Sequence, residues 1–285
     1  MKQLTLLSLT AIILFFAFSS CQKVNDYVLR HPTTHDPLCK ITSIGIKGFY
    51  GNTDSYIVYY NSKDNPDSLI DNNPVGDIGN SRYFFRYDNL DRLSGFMWAE
   101  TISSGMPWFA IEWHKYIYAQ PDYIVDTTMT YVGDVRLPAP SAENAAYYTI
   151  TAYTLDGQGR IVKQWSIKEP NDPPHAPVLT NTYTYNSQGN KVLSDPSLTY
   201  DSKANVYRTN KVWQFLYNDY SLNNVIKADG TFTPSYNEFG LPLSLPNLNS
   251  NGIRLFGLYN TDVIAAISYA CTISDGLEDS QDGDN

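Results

Sequence analysis

The side chains best suited to chemistry cluster in one short stretch of this sequence. That stretch holds two carboxylates, three tryptophans and a histidine: Trp98, Glu100, Trp108, Glu112, Trp113 and His114. If the chain reverses near Gly105, Glu100 and Glu112 fall at matching depths on neighbouring strands. Two carboxylates beside aromatic platforms are what a glycosidase needs, one as acid and one as base or nucleophile. The same pattern also fits two solvent-facing carboxylates over a tryptophan core, or a surface that binds carbohydrate without cleaving it.

Motifs of other enzyme classes and of metal sites are absent from the sequence. It contains no nucleophile elbow, phosphate-binding loop, HExxH motif or cysteine pair at zinc spacing. His31 and His35 are separated by Pro32, so no helix aligns them on one face. The acidic residues of 275–285 do not follow the spacing of a calcium-binding EF-hand loop. We therefore expect neither a metal nor a cofactor.

The composition narrows the class of partner. The net charge is −9, so the chain lacks the excess of lysine and arginine that neutralises phosphates in nucleic-acid complexes. Tyrosine is unusually frequent, with 23 residues. Because tyrosine favours strands and offers an amphipathic surface, this composition suits a β-protein that contacts sugars or peptides.

The N-terminus has the pattern of a lipoprotein signal peptide. Lys2 supplies positive charge, Leu4 to Phe18 is an apolar run too short to favour spanning a bilayer, and Ser19 and Ser20 precede Cys21. We expect cleavage before Cys21 and acylation of its thiol, which would anchor the protein to a membrane. The alternative is an ordinary secretory signal with an incidental cysteine.

Two further cysteines, Cys39 and Cys271, lie near the two ends of the predicted folded region. An even number of cysteines in an oxidising compartment is compatible with a disulfide that joins the first strand to the last. Two isolated buried thiols would fit the sequence equally well.

A short pattern recurs along the chain. In order, it has an aromatic residue, any residue, a tyrosine, and then an Asp or Asn. Two further residues follow, then Gly or a substitute, a polar residue and an aliphatic residue. A complete copy is Tyr183 to Val192, and other copies begin at Phe85, Tyr153, Tyr200 and Tyr236, with a looser copy at Tyr60. Each copy predicts one strand, one tight turn and the start of the next strand, because Asp or Asn accepts a backbone hydrogen bond and Gly adopts a positive φ.

The glycine position of this pattern carries a specific prediction. We expect a left-handed backbone at Gly159, Gly189 and Gly240, and at Asp91, which occupies the same position in its copy. Ala204 occupies that position in another copy. It indicates either a different turn, such as one with a positive φ at the following asparagine, or local strain.

The pattern resembles the YD repeat of Rhs-type and teneurin-type proteins. The chain also resembles a group of uncharacterised, lipid-anchored proteins of Bacteroidota that carry degenerate copies. The arginine of the repeat is present at Arg92 and Arg160, and its glycine is replaced at Asp91 and Ala204. The resemblance implies an array of antiparallel β-hairpins. It also favours the outer membrane, at the periplasmic face or the cell surface, because Gln22 follows the cysteine where inner-membrane lipoproteins often have Asp.

The sequence thus predicts an all-β protein. Its expected parts are a signal peptide at 1–20, a tether at 21–38, an all-β domain at 39–274 and a disordered acidic tail at 275–285. The fold class is an antiparallel meander of YD-like hairpins in a strongly twisted sheet or open barrel. Residues 62–81 are predicted to form a long surface loop.

Two smaller expectations concern the same domain. No segment has the pattern of a long amphipathic helix, and the chain around Trp213 is predicted to be a short strand.

The sequence favours one function and leaves one alternative. The favoured function is that of a non-enzymatic lipoprotein of the cell envelope, whose aromatic-rich sheet binds a glycan or a protein. The predicted binding residues are Trp98, Trp108, Trp113 and His114. The alternative is a glycan-cleaving enzyme that uses Glu100 and Glu112.

Overall fold

The computed structural model describes seven segments of the chain, at residues 38–47, 53–72, 80–101, 109–131, 145–168, 172–245 and 263–272. The chain divides into two units. One is Cys39–Ala270, and the other combines the two chain ends, Met1–Leu38 and Cys271–Asn285. The described residues of this second unit are Leu38, Cys271 and Thr272.

The described residues form thirteen strands, a helix and one turn of 3-10 helix. The strands are β1 (Leu38–Lys47), β2 (Thr53–Tyr60), β3 (Pro66–Asp71), β4 (Asn80–Tyr87), β5 (Leu93–Thr101), β6 (Phe109–Gln120), β7 (Tyr123–Thr130), β8 (Tyr147–Leu155), β9 (Ile161–Lys168), β10 (Val178–Thr182), β11 (Leu198–Ala204), β12 (Asn223–Lys227) and β13 (Val263–Thr272). The 3-10 turn is Val206–Thr209 and the helix, α1, is Lys211–Tyr217.

Eleven of the described strands form one antiparallel sheet. Their order is β10-β9-β8-β7-β6-β5-β4-β3-β2-β1-β13, so strands consecutive in sequence are neighbours from β1 to β10. This arrangement confirms the predicted all-β meander. The sheet ends at β10 and β13 and is not closed into a barrel. The remaining described strands, β11 and β12, pair with each other.

Helix α1 packs aromatic side chains onto one face of this sheet. Trp213 is fully buried, and its ring meets Phe85 edge to face at 5.6 Å between centroids. The ring of Phe215 lies 5.0 Å from that of Tyr116 and 6.0 Å from that of Tyr153, again nearly perpendicular. Aromatic rings on both sides therefore fill the space between helix and sheet.

The strand predicted around Trp213 is wrong, because that residue lies in α1. The side chain of Asn210 accepts the Val212 N–H at 2.9 Å and so caps the start of the helix. Asn218 adopts a left-handed conformation, with φ of 47°, and its N–H bonds to the last helical carbonyls. Two asparagines thus bracket a helix too short to show a clear period.

The predicted loop at 62–81 is also partly wrong, because it contains β3. Leu69 on this strand is fully buried in the core. Pro66 occupies the first position of the strand, where a missing N–H is tolerated. The prolines and aspartates of this region obscured a short apolar alternation.

Five turns of the described chain share one hydrogen-bond pattern. The Asp or Asn that opens the turn accepts, through Oδ1, the N–H groups two and four residues later at 2.9 to 3.1 Å. Its own N–H and C=O bond to the residues four and three positions later. The opening residues are Asn61, Asp88, Asp156, Asn186 and Asn237.

The fourth residue of each of these turns has a left-handed backbone. The φ angles are 63° at Asp64, 59° at Asp91, 76° at Gly159, 78° at Gly189 and 76° at Gly240. The predictions for Asp91 and the three glycines are therefore confirmed. Asp64 shows that the looser copy near residue 60 closes in the same way.

The copy that contains Ala204 forms a different turn. Asp201 accepts the N–H of Lys203 at 2.9 Å, as in the other copies. Asn205 then has φ of −65° and caps the 3-10 turn Val206–Thr209. A positive φ at Asn205 is therefore wrong, and the alternative of a different turn is correct.

A tyrosine hydroxyl connects each of the five shared turns to a later segment of the chain. The carbonyl two residues after the left-handed position accepts a tyrosine O–H at 2.5 to 3.3 Å. The donor and acceptor pairs are Tyr87–Pro66, Tyr118–Leu93, Tyr185–Ile161, Tyr200–Lys191 and Tyr269–Pro242.

Arginine strengthens two of these connections. The guanidinium of Arg92 bonds to the carboxylate of Asp88, with Nε 2.8 Å from Oδ2, and lies 4.1 Å from the centroid of the Tyr118 ring. Arg160 repeats the arrangement with Asp156 and the Tyr185 ring, at 2.8 and 4.0 Å. Each arginine thus pairs with the carboxylate that opens its turn and stacks on the tyrosine that bonds just beyond it.

Substitutions in the turn at 156–160 test the role of the left-handed residue. Nothing lies within 4 Å of a Cβ added at Gly159, so Gly159→Val adds backbone strain without a clash. We expect it to lower the free energy of unfolding by about 1 to 3 kcal/mol in urea titrations. Gly157 in the same turn is equally open but does not have a positive φ. Gly157→Val should therefore change stability by about 0.5 kcal/mol or less, and equal losses in both variants would contradict the assignment.

Candidate functional site

Polar side chains of four neighbouring strands share one face of the sheet. His114 on β6 lies directly opposite Thr128 on β7, and Thr128 lies opposite Thr149 on β8. In antiparallel strands, directly opposite residues point to the same face. The same register adds a second row, from Asp126 through Thr151 to Ser166. We call the following residues the polar face: Glu112, His114, Asp126, Thr128, Thr149, Thr151, Gln164 and Ser166.

The polar face adjoins the aromatic core. On β5, Phe96 lies opposite His114 and Trp98 lies opposite Glu112. The His114 ring is 5.6 Å from that of Phe96 and stacks on Tyr116 at 5.8 Å. Tyr116 is in turn covered by Phe215 of α1. A single side of the sheet therefore changes from aromatic to polar as it passes β6.

His114 is held between two carboxylates. Its Nδ1 is 2.9 Å from Oδ2 of Asp126 and its Nε2 is 2.6 Å from Oε1 of Glu112. Thr128 Oγ1 also lies 3.0 Å from Nδ1. Burial lowers the pKa of His114, but the charge and hydrogen bond of Asp126, followed by those of Glu112, outweigh burial and raise the pKa to about 10. At neutral pH the ring is an imidazolium that donates to both carboxylates.

The two carboxylate oxygens of Asp126 differ in their hydrogen bonding. Its side chain is only 4% exposed. Oδ2 accepts from His114, whereas no hydrogen-bond partner for the buried Oδ1 is found among the described residues. After burial itself, the charge of Asp126 is the largest contribution that raises the pKa of Tyr116 and Tyr153, so both phenols lie near this carboxylate.

A pocket opens beside these residues, between β8, β9 and β10. Its walls are mostly hydroxyl and amide groups, together with one tryptophan and one lysine: Thr149, Thr151, Gln164, Trp165, Ser166, Lys168, Thr180 and Asn181. Gln164 Oε1 accepts the Tyr183 O–H at 2.8 Å, which fixes the amide. Because Thr149 and Thr151 belong to both the pocket and the polar face, the two features form one continuous surface.

The sequence-predicted site residues divide between the two faces of the sheet. Trp98, Glu112 and His114 lie on the face described above. Trp113 lies on the opposite face, where it packs on Met129 and Tyr131. Trp108 and the side chain of Glu100 lie outside the described residues. The paired carboxylates therefore stay a prediction, although the backbone register places Trp98, not Glu100, opposite Glu112.

Sequence reasoning missed the partners that surround His114. These partners come from β7 and β8, outside the stretch 98–114, and are Asp126, Thr128, Thr149 and Thr151. A signal was present in part, because polar and apolar residues alternate from Thr128 to Thr130 and again from Thr149 to Thr151. Alternation of this kind marks one face of a strand, but it does not say which strand lies alongside.

The described cysteines, Cys39 in β1 and Cys271 in β13, are both disulfide-bonded. Cys21, the signal peptide at 1–20, the tether up to residue 37 and the tail at 275–285 lie outside the described residues. Among the residues that are described, no helix is long and apolar enough to cross a membrane. Within the same part of the chain, no group of three or more His, Cys, Asp or Glu side chains is arranged to hold a metal ion.

No protein-family model matches the chain, and no curated protein sequence matches it. The geometry of the polar face is therefore the basis on which a function is assigned.

The His114 cluster predicts a loss of stability at alkaline pH. The pKa of His114 is about 10 in the folded protein and about 6.5 when unfolded. A raised pKa means that the stabilisation is complete below the unfolded value and is lost as pH rises through the folded value. Urea midpoints measured between about pH 6 and 10 should fall more steeply for the wild type than for His114→Gln, which does not titrate. Equal slopes would contradict the cluster.

Proposed function

We propose that this protein is a lipoprotein of the cell envelope, anchored in the outer membrane through Cys21, and that its polar face binds glycans. One observation carries the proposal: hydroxyl, amide and carboxylate groups line one side of the sheet next to Trp98 and Phe96. Sugars present hydroxyls around an apolar ring face. A surface that combines polar groups with aromatic rings complements both parts of such a ligand.

The polar groups of this face can form the same kinds of hydrogen bond as the hydroxyls of a sugar. Threonine and serine hydroxyls both donate and accept, as sugar hydroxyls do, and the Gln164 amide offers both functions in fixed positions. The strands hold these side chains in register, so a bound sugar would meet a rigid array. Rigid elements position binding groups more accurately than loops do.

A protein partner fits this surface less well. The centres of protein interfaces are depleted in charged residues and are built around aromatic and arginine anchors. The polar face instead contains a charged cluster, formed by Glu112, His114 and Asp126. Covering this cluster with a protein would further desolvate the Glu112 carboxylate, whose side chain is 34% exposed.

Cleavage of the bound glycan is the second candidate function, and Glu112 bears on it directly. The imidazolium of His114 donates to this carboxylate, with 2.6 Å between Nε2 and Oε1. A charged Glu112 suits the role of base or nucleophile, which leaves the role of acid to Glu100. Mass spectrometry of any bound glycan after incubation would detect products, and Glu112→Gln should abolish them if cleavage occurs.

The lipid anchor is tested by fractionation. Acylation of Cys21 would place the protein in the membrane fraction, because two acyl chains hold a protein stably in a bilayer. Cys21→Ala should move the protein to the soluble fraction. Retention of this variant in membranes after a carbonate wash would show that something other than Cys21 attaches the chain.

Glycan binding is tested with a matched pair of threonine variants. Thr151 lines the pocket, whereas Thr127 lies opposite Ile150 on the other face of the sheet. On a glycan array followed by calorimetry, Thr151→Val should weaken binding about tenfold, the value of one hydrogen bond. Thr127→Val should leave binding unchanged. Absence of any bound glycan would refute the proposal, and equal losses in both variants would move the site elsewhere.

A further inference from the structure

We infer that the opposite face of the sheet, the one that carries Trp113, has a binding site for a phosphate group, formed by Arg86, Lys115 and the indole N–H of Trp113 around Gly95. The site goes beyond the proposed glycan function and does not depend on it, because it lies on the other side of the sheet. Three observations support it: the convergence of these side chains, the lack of a carboxylate partner for the two cations, and the chemistry of the surrounding face.

The strand register brings the two cations to one place. Arg86 on β4 lies directly opposite Gly95 on β5, and Gly95 lies directly opposite Lys115 on β6. Directly opposite residues of antiparallel strands point to the same face, so Arg86 and Lys115 flank Gly95 on the face of Trp113. Neighbouring strands are about 4.8 Å apart, so the two side chains begin about 10 Å from each other. Gly95 places no side chain between them.

The indole of Trp113 lies next to the same glycine. A Cβ added at Gly95 would be 3.6 Å from Nε1 of Trp113 and 3.6 Å from Cβ of Arg86. Trp113 is half-buried, and no acceptor for its N–H is found among the described residues. The indole therefore adds a neutral hydrogen-bond donor to the two positive charges.

Arg86 and Lys115 have no carboxylate partner among the described residues. Other cations of the described chain do form ion pairs with aspartates, namely Lys40, Lys63, Arg92 and Arg160. Arg86 instead donates from Nη1 to the carbonyl of Phe85 at 3.0 Å, and Lys115 is exposed. The other N–H groups of the Arg86 guanidinium and the Lys115 ammonium can thus bind a ligand.

The described part of this face contains no carboxylate on strands β4 to β7. The row beside the two cations is apolar apart from the indole N–H and consists of Phe84, Met97, Trp113 and Met129. Lys115 lies opposite Thr127 on β7. Asp88, the carboxylate nearest to Arg86 in sequence, is bonded to Arg92. In a chain with a net charge of −9, two cations away from acids indicate an anionic ligand from outside the chain.

A phosphate group matches these donors better than a planar carboxylate does. Its tetrahedral oxygens can accept hydrogen bonds from side chains on both sides of Gly95. The planar guanidinium of arginine binds two phosphate oxygens at once, and lysine contributes a compact positive charge. The indole can only donate, so it also requires an acceptor. Phosphate supplies acceptors in every direction.

Inorganic phosphate is the first probe, measured by calorimetry with the full chain at low salt, where electrostatic screening is weakest. Arg86→Gln and Lys115→Gln should each weaken binding about tenfold, because each removes a charge-assisted hydrogen bond. Lys163→Gln is the matched control and should bind as the wild type does. Lys163 lies on the same face but on β9, about 14 Å from β6. Equal losses in all three variants would show general attraction to positive charge and overturn the inference.

Gly95→Ala tests the shape of the site without altering its charge. The nearest atom to the added methyl group would be the His114 carbonyl oxygen at 3.4 Å, so we expect the variant to fold. Because this methyl group would lie against the Trp113 N–H, phosphate binding should weaken about fivefold, the value of one hydrogen bond. Trp113→Phe removes the same N–H and should have a similar effect. Wild-type affinity in both variants, with folding verified by circular dichroism, would overturn the inference.

Two further probes distinguish the source of the phosphate group. Glucose 6-phosphate represents a soluble phosphate ester, and phosphatidylcholine vesicles that contain phosphatidic acid represent a lipid headgroup. The vesicle assay uses Cys21→Ala, so that acyl chains do not contribute, and pure phosphatidylcholine as the control. Binding of either probe that Arg86→Gln weakens would support the inference and identify the source. If none of the three probes binds, the inference fails, whereas the proposed glycan function is decided separately by neutral sugars and Thr151→Val.

Discussion

The hydrogen bond from a tyrosine hydroxyl to the carbonyl beyond each tight turn is the interaction on which the sheet depends. The turn itself is closed within five residues by one Asp or Asn and one left-handed residue. The tyrosine then fixes that turn to a later segment, as Tyr118 does at Leu93. A slip of one residue would send every side chain to the other face. These bonds therefore fix the chain beyond the turns that join β2 to β3, β4 to β5 and β8 to β9.

The repeat is interrupted where the candidate site lies. The connection between β6 and β7 contains Gln120, Pro121 and Asp122 in place of the shared turn, and Leu155 stands before Asp156 where the other shared turns have tyrosine. A backbone bond from the Leu155 N–H to the Asp122 carbonyl, at 2.8 Å, joins these segments instead. Local departures from an otherwise consistent pattern are expected at functional sites.

Local features of the fold were predictable from the sequence, and features that depend on distant residues were not. The left-handed positions at Gly159 and Asp91 follow from chemistry within one turn. Helix α1 and β3 were not predicted, because short elements show only a weak hydrophobic period and their conformation depends on tertiary packing. For the site, alternation placed Glu112 and His114 on one face. It could not bring Asp126 to His114, because only the register between β6 and β7 determines that contact.

The order of the strands has a consequence for how the chain reaches this structure. Neighbouring strands are also consecutive in sequence from β1 to β10, so most pairings require only a short loop to close. Hairpins can then form one after another, and each new hairpin stabilises the last, as in solenoid proteins. Cooperativity would be weakest where Leu155 replaces the tyrosine. A sugar that contacts both β6 and β9 would bridge that weak junction and couple two folding blocks.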